Sequence, residues 1–222
     1  MNVSKVLVAL LSGAFFYQIA WAGNQEEEKL SADVQASLHS AIINPIRPHL
    51  VFSTDEQADA WLSDMSNRLK KWVPDDFMRK RLLTVIQYEA VRAGLDPQLV
   101  LSVITVESRF NKYAISSAGA RGIMQVMPFW VRQIGASNQD LLEAQTNIRF
   151  GCTILRHYLQ LEHGDIYYAL GRYNGSRGQS TYPNLVFSAY NKYWQPATVM
   201  TLTKSGTVKY VNYATNEGIG KY

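Results

Sequence analysis

From Ser31 to Trp194 apolar residues return every three or four positions, the repeat of an amphipathic helix. That repeat is interrupted again and again by Pro, Gly and Asp. The pattern commits the chain to an all-α fold built from several short and medium helices. Ser31 is placed to cap a first helix running to about Ile43, and Pro45 and Pro48 then break the pattern. Ser53 and Glu56 have the spacing of a capping box. The helix behind them carries Ala58, Trp61, Leu62, Met65, Leu69 and Trp72 on one face. Pro74, Asp75 and Asp76 open a third helix that Gly94 closes, with Met78, Leu82, Val85 and Ile86 expected to be its buried stripe. Asp96 and Pro97 supply an N-cap and a first-turn proline for a fourth, with Val100, Val103 and Ile104 on one side. Residues 112–126, rich in Gly, Ser and Ala, read as irregular loop. Pro128 starts a short helix to about Ile134. Residues 147–162 form a long helix ended by Gly164. Asp165 caps another that carries Ile166, Ala169, Leu170 and Tyr173, and Pro183 starts a last one to about Trp194. From Pro196 the character changes: Val199 to Val211 favours β structure around a Lys-Ser-Gly turn, as a hairpin or a loose extension.

The first residues read differently. Lys5 precedes an apolar run from Val6 to Ile19 that ends in Ala20-Trp21-Ala22, a small-x-small cleavage pattern, and acidic Glu26 to Glu28 follow. Residues 1–22 are expected to be a cleaved secretory signal peptide. The alternative is an uncleaved anchor, because the run approaches the shortest spanning length. No cysteine follows the cleavage pattern, which argues against a lipid anchor. The single cysteine, Cys152, excludes an intramolecular disulfide, and its place among Ile148, Leu155 and Leu159 suits a buried, inert side chain. The net charge of +4 suits an anionic polymer without choosing among peptidoglycan, nucleic acid and a lipid surface. No block of like charge forms a nucleic-acid arm. His39, His49, His157 and His163 show no ligand spacing, so no metal is expected. There is no His-Glu-x-x-His, no phosphate-cradling Gly-Lys-Ser/Thr loop and no Gly-x-Ser-x-Gly elbow.

Glu107 is the anomaly. It lies seven residues after Val100, on the face that holds Val103 and Ile104, where a carboxylate is out of place. It also sits at the C-terminal end of its helix, where the dipole disfavours negative charge. Both effects raise a carboxyl pKa. A carboxyl that stays protonated near neutral pH can act as a general acid in glycosidic cleavage. The alternatives are a surface glutamate, or one paired with Arg109 or Arg121.

Around Glu107 the chain reads Glu107-Ser108-Arg109-Phe110-Asn111, then Ala118-Gly119-Ala120-Arg121-Gly122-Ile123-Met124-Gln125-Val126-Met127-Pro128. Asn147-Ile148 and Gly151 follow, and Tyr173-Asn174-Gly175 come last. In their order and separation these words resemble the soluble lytic transglycosylase family, whose catalytic fold is shared with goose-type lysozyme. The resemblance covers about residues 80–195. It implies a lysozyme-like, all-α catalytic domain at 80–195, preceded by extra N-terminal helices at 23–79 and followed by a short C-terminal extension at 196–222. It implies that Glu107 is the acid/base and that Ser108 hydrogen-bonds near the reacting sugar. Gly122 to Gln125 match a Gly-Leu-Met-Gln motif, with Ile123 for Leu, so Gln125 would bond substrate and Met124 would line the groove. Tyr173 and Asn174 match a Tyr-Asn pair, with Tyr173 close to the carboxyl. Arg172 and Gly175 stand where the family usually has Ala, and Arg172 adds a charge of unknown direction beside the groove.

The residues read alone are compatible with this. Gly119 and Gly122 let backbone approach a sugar, or simply make turns. Gln125 offers both a donor and an acceptor. Tyr173 falls on an apolar face and is also readable as a core tyrosine. Phe129 and Trp130 suit sugar stacking or core packing equally.

The activity the resemblance implies is lytic transglycosylation of peptidoglycan, a lyase reaction on polysaccharide without a cofactor. Most glycosidases use two carboxyl groups. Asp140, Glu143, Glu162 and Asp165 lie outside the matching words, so a single-carboxyl mechanism on Glu107 is expected, leaving 1,6-anhydro-N-acetylmuramic acid ends. The rivals are a hydrolytic muramidase on the same fold and a catalytically silent wall-binding or assembly protein. The expected partner is the peptidoglycan glycan strand, with a cell-wall or secretion-system assembly as a further candidate. Nucleic acid is not expected, nor is a membrane after signal cleavage. Secretion with one thiol suits the periplasm.

Overall fold

The structure is a computed structural model. It describes residues 25–43 and 46–195, and the backbone of two strands at 199–202 and 208–211; the expected signal peptide lies outside the described residues. The described helices are α1 (Ala32–Ile43), α2 (Asp55–Leu69), α3 (Asp76–Arg92), α4 (Pro97–Glu107), α5 (Phe129–Ile134), α6 (Ala144–Leu161), α7 (Ile166–Asn174) and α8 (Thr181–Ala189). A π-helical turn, Tyr190–Trp194, continues α8. The strands β1 (Val199–Leu202) and β2 (Val208–Val211) pair antiparallel, with Val199 opposite Val211 and Leu202 opposite Val208. Of the two readings left open beyond Pro196, a hairpin or a loose extension, these strands form the hairpin, and the described helices are the all-α core expected.

Most helix starts follow the residues that predicted them. Ser31 Oγ accepts from Val34 N–H, Asp75 caps α3, Asp96 caps α4 with Pro97 in the first turn, and Asp165 caps α7. Three expectations need correction. The N-cap of α2 is Thr54, whose hydroxyl accepts from Gln57 N–H, and not Ser53. Helix α6 begins earlier than position 147, because Glu143 accepts from Gln145 and Thr146 N–H and so caps it. In α3 the expected stripe holds at Val85 and Ile86, with Leu82 half-buried, but Met78 is exposed and Arg79 and Leu83 are buried instead. Arg79 can be buried because Ser66 Oγ, the Val73 and Pro74 carbonyls and Asp76 take up its guanidinium.

One core runs through the described helices. Leu38, Ile42, Trp61, Met65 and Leu69 from the N-terminal helices are buried in the same cluster as Leu83, Ile104, Phe150, Leu170 and Trp194. Helix α1 packs on α5 and α6. Its last turn is closed by two guanidiniums: Arg92 on α3 donates to Ala41 O and Arg149 on α6 donates to Ile42 O. Both arginines also grip Glu89, which is fully buried, at 2.9 and 2.8 Å. This buried triad locks the N-terminal helix to the helices that carry the site. Glu89→Ala leaves two desolvated cations without their anion. It is expected to cost about 3–5 kcal/mol in urea unfolding.

Candidate active site

Helix α4 is buried along Val100, Leu101, Val103 and Ile104 and delivers Glu107, 7 % exposed, as its last residue. The chain then turns sharply through Arg109 and Phe110, both with left-handed backbone (φ 51° and 67°). That conformation costs a non-glycine residue about 1–3 kcal/mol. Packing holds it in place. The Phe110 ring lies 5.4 Å from Trp72 and 5.7 Å from Trp194, and those two indoles stack at 5.4 Å. Trp194 Nε1 also donates to Thr105 Oγ1 on α4 at 2.8 Å.

The Glu107 carboxyl receives one hydrogen bond from the described residues, from the Tyr182 hydroxyl to Oε1 at 2.5 Å. Tyr182 is itself buried, on the first turn of α8. No ion pair with Arg109 or Arg121 forms among the described residues. Burial pushes the Glu107 pKa up to about 8, and the Tyr182 hydroxyl offsets only part of that rise. The pairing alternatives for Glu107 are thus replaced by a protonated, desolvated carboxyl. Sequence reasoning missed Tyr182. Its only signal was the buried spacing Tyr182, Val186, Ala189, which marks a core tyrosine as readily as a functional one.

The other four acids from the same stretch are engaged elsewhere. Asp140 accepts from Leu142 N–H, and Glu143 and Asp165 cap helices. Glu162 is bound by Arg177 and Arg172, which hold its pKa down at about 2. Arg172 also reaches Glu28 at 3.6 Å, so its charge is spent on that cluster, which settles its direction.

Residues 112–126 are better ordered than an irregular loop. Arg121 bridges antiparallel to both Ile115 and Val126, and Gly122 N–H bonds Ala114 O at 2.9 Å. The fully buried Asn147 organises the rest. Its Nδ2 donates to the Arg121 and Leu141 carbonyls at 2.8 Å each, and its Oδ1 accepts from Met124 N–H at 2.7 Å. Gly122 has φ +77°, and a Cβ there would stand 2.2 Å from Leu141 O and 2.3 Å from Asn147 Nδ2. Its missing side chain therefore makes room for Asn147 and not for a sugar. Gly119, by contrast, has open space where a Cβ would be.

Met124 also differs from its expected role. Its side chain is fully buried, with Sδ 2.5 Å from where a Cβ on Gly151 would sit, so it floors the loop from beneath. Its contribution to the site is backbone: Met124 O accepts from the Tyr173 hydroxyl at 2.8 Å. Tyr173 is buried and close enough for the Glu107 charge to raise its pKa further. Ser108 Oγ donates to Ile123 O at 2.6 Å, which ties the Glu107 turn to the loop. Gln125, with φ 50°, donates from Nε2 to Ala114 O and Gly122 O at 3.0 and 2.8 Å, and its Oε1 is buried without a partner. A buried acceptor left unpaired is costly and marks a place where an incoming donor gains most. Asn174 is buried beside Tyr173, with Oδ1 accepting from Ser176 Oγ at 2.9 Å. Phe129 and Trp130 are core residues, 6 % and 3 % exposed. Cys152 is fully buried. Ser108 adjoins Glu107 and Tyr173 lies within reach of its charge, both fastened to the loop, while Gln125 is held inside that loop by the Ala114 and Gly122 carbonyls. Among the described residues no cluster of acids, His and Cys could hold a metal.

Residues 84–192 match the family described as the Transglycosylase SLT domain. A transglycosylase of Enterobacteria phage PRD1 is 36 % identical over 89 residues, covering 40 % of this chain and 32 % of the relative. Membrane-bound lytic murein transglycosylase F of Vibrio cholerae serotype O1 is 30 % identical over 121 residues, covering 52 % of this chain and 20 % of the relative. Membrane-bound lytic murein transglycosylase C of Histophilus somni is 49 % identical over 49 residues, covering 22 % and 14 %. The chain therefore spans a third or less of each of these curated relatives.

Two outcomes follow from this geometry. Gly122→Ala meets both a forbidden backbone angle and a backbone carbonyl, and is expected to lower unfolding free energy by more than about 2 kcal/mol in chemical denaturation. The Glu107 pKa is higher folded (about 8) than unfolded (4.5), so between those values the unfolded chain holds fewer protons and stability falls as pH rises. Relative to Glu107→Gln, wild type is expected to lose up to about 1.4 kcal/mol per pH unit across that window, and nothing further above it. Melts at half-unit pH steps on both proteins measure this.

Proposed function

Residues 84–192 belong to the soluble lytic transglycosylase family, and on that premise we propose that this chain cleaves the β-1,4 bond between N-acetylmuramic acid and N-acetylglucosamine in peptidoglycan with Glu107 as its acid and base. The observation that carries the reading is the protonated Glu107 carboxyl, buried on Tyr182 with no ion pair among the described residues, while Asp140, Glu143, Glu162 and Asp165 are committed elsewhere. A neutral carboxyl holds the proton that the leaving glycosidic oxygen needs. The positive charge that develops at the muramic C1 is met by the substrate's own acetamido group, as in substrate-assisted glycosidases. Glu107, now a carboxylate, accepts the proton of the muramic C6 hydroxyl as its oxygen attacks C1. The ring closes as a 1,6-anhydro sugar, Glu107 regains its proton, and no water is consumed.

The neighbours divide into two groups in this scheme. Tyr182 hydrogen-bonds the carboxylate stage of Glu107. Gln125 Oε1 accepts from a substrate hydroxyl or amide, and Ser108, Tyr173 and Asn174 contact the sugars at the groove. Gly122 and Met124 hold the loop that presents them. The substrate assigned here agrees with the names of the relatives, two of which are murein transglycosylases. It also places the protein outside the cytoplasm, in the periplasm if residues 1–22 are removed as a signal peptide. Among the described residues no helix is long and apolar enough to cross a membrane.

Digestion of purified sacculi with product identification by mass spectrometry tests this. Wild type is expected to release non-reducible muropeptides lighter by one water than hydrolytic products. Glu107→Gln is expected to lose at least about a thousandfold in rate, since it removes the transferable proton and the base together. Reducing-end products would assign the chain as a hydrolytic muramidase. Binding without products from wild type would assign it as a wall-binding or assembly protein.

A further inference from the structure

We propose, resting on the cleavage assigned to Glu107, that Gln25 is a positioning residue for that reaction: from the strap before α1 its side-chain amide clamps the end of α7 to α5 and so fixes Tyr173. Gln25 lies outside residues 84–192, 105 positions from Trp130 and 148 from Tyr173. The last carbonyls of a helix have no intrahelical donor and need other partners. At the end of α7 the left-handed Gly175 turns the chain back. Its N–H bonds Arg172 O at 2.9 Å, and Ser176 N–H bonds Gly171 O at 2.7 Å. No described backbone N–H reaches the Tyr173 carbonyl, and Gln25 Nε2 donates to it instead. The other end of the same amide is also engaged, because Gln25 Oε1 accepts from Trp130 Nε1–H at 3.1 Å. An indole N–H only donates and a backbone carbonyl only accepts, so the amide fits in one orientation.

Trp130 is a firm anchor. It is buried in the first turn of α5, against the Phe129 and Tyr158 rings. The loop that carries Met124 leads directly into α5. Tyr173 is therefore held twice by the same stretch of chain. Its hydroxyl donates to Met124 O, and its main chain is tied through Gln25 to Trp130. Without the Gln25 amide the Tyr173 carbonyl has no described partner. The last turn of a nine-residue helix is then free to fray, and Tyr173 and Asn174 shift relative to Glu107.

The strap is pinned to both helices that the amide joins. On the α5 side Glu27 pairs with Arg132 at 2.9 Å, and Gln133 Nε2 donates to Glu27 Oε1 at 3.3 Å and to Glu28 O at 2.9 Å. On the α7 side Glu28 pairs with Arg172 at 3.6 Å. Glu27 and Glu28 are exposed, so these pairs place the strap and add little to the stability of the domain. Gln25 is half-buried, and its contacts are to the edge of the core. Changing it is therefore expected to move Tyr173 without unfolding the helices.

The test measures kcat and KM of the full chain on solubilised glycan strands at neutral pH, for wild type, Gln25→Ala and Gln25→Glu. Gln25→Glu keeps the shape and an acceptor for Trp130, but its carboxylate has no proton to give the Tyr173 carbonyl. Both variants are expected to lose about tenfold in kcat with KM changed less than about threefold, because misplacement acts on the transition state more than on binding. Glu26→Gln, exposed on the same strap, is expected to match wild type. The Tyr173 ring signal in 13C NMR, identified by its loss in Tyr173→Phe, is expected to shift in both Gln25 variants, and melts check that each is folded at the assay temperature. An active wild type with both variants at wild-type kcat overturns this inference alone, as does a loss of kcat with the Tyr173 signal unmoved. A wild type that releases no products overturns the proposed activity and this inference together.

Discussion

The fully buried amide of Asn147 accepts from the Met124 N–H and donates to the carbonyls of Arg121 and Leu141. The segment before α5 has little ladder or helix of its own to satisfy its backbone, so this one side chain does the work of a secondary-structure element. Everything around the site inherits that arrangement. Gly122 must lack a side chain to admit the amide, and Gly151 must lack one to admit the Met124 thioether. The Met124 carbonyl is then aimed at the Tyr173 hydroxyl, and the Ile123 carbonyl at Ser108. Removing the amide would leave the Met124 N–H and the Leu141 carbonyl without their described partner, each costing roughly 1–3 kcal/mol, while the Arg121 carbonyl keeps its bond from Val126 N–H.

The electrostatics of the site follow from where charge is absent. Glu107 is desolvated and its only described hydrogen-bond partner is a neutral hydroxyl, so it stays protonated to about pH 8. Glu162, bound by Arg177 and Arg172, titrates near 2. Two glutamates in one small domain are thus driven about six pH units apart by surroundings alone. Such a separation distinguishes a group able to deliver a proton from one that fastens an ion cluster. Arg172 belongs to the second kind of work, since it joins α7 to Glu162 and to the acidic segment that precedes α1.

The helices before the family match are not an appendage in packing terms. The Glu89, Arg92 and Arg149 triad closes the end of α1. Trp72, from the link after α2, stacks on Trp194 and packs tilted against Phe110 behind the strained turn that follows Glu107. A left-handed backbone at two successive non-glycine residues persists only where its surroundings over-determine it. Here residues from both ends of the helical region supply that constraint.

The amino-acid sequence by itself determined the all-α class, the punctuation of most helices and the anomaly at Glu107. These depend on local chemistry: a capping Asp, a proline in a first turn, a carboxyl on an apolar stripe. The Glu-Ser, Gly-Ile-Met-Gln and Tyr-Asn words also named the family that residues 84–192 match. What each residue does was decided by tertiary structure. The Met124 side chain packs against Gly151 and the space at Gly122 is filled by Asn147, neither of which the motif itself reveals. Tyr182 lies 75 positions from Glu107, and nothing local marks a core tyrosine as the one whose hydroxyl meets a buried acid. The burial of Arg79 in α3 was hidden for the same reason, because a buried guanidinium is permissible only where carbonyls from a preceding turn converge on it. Periodicity reports which face of a helix turns inward, but partners distant in sequence are set by packing, and only the folded chain brings them together.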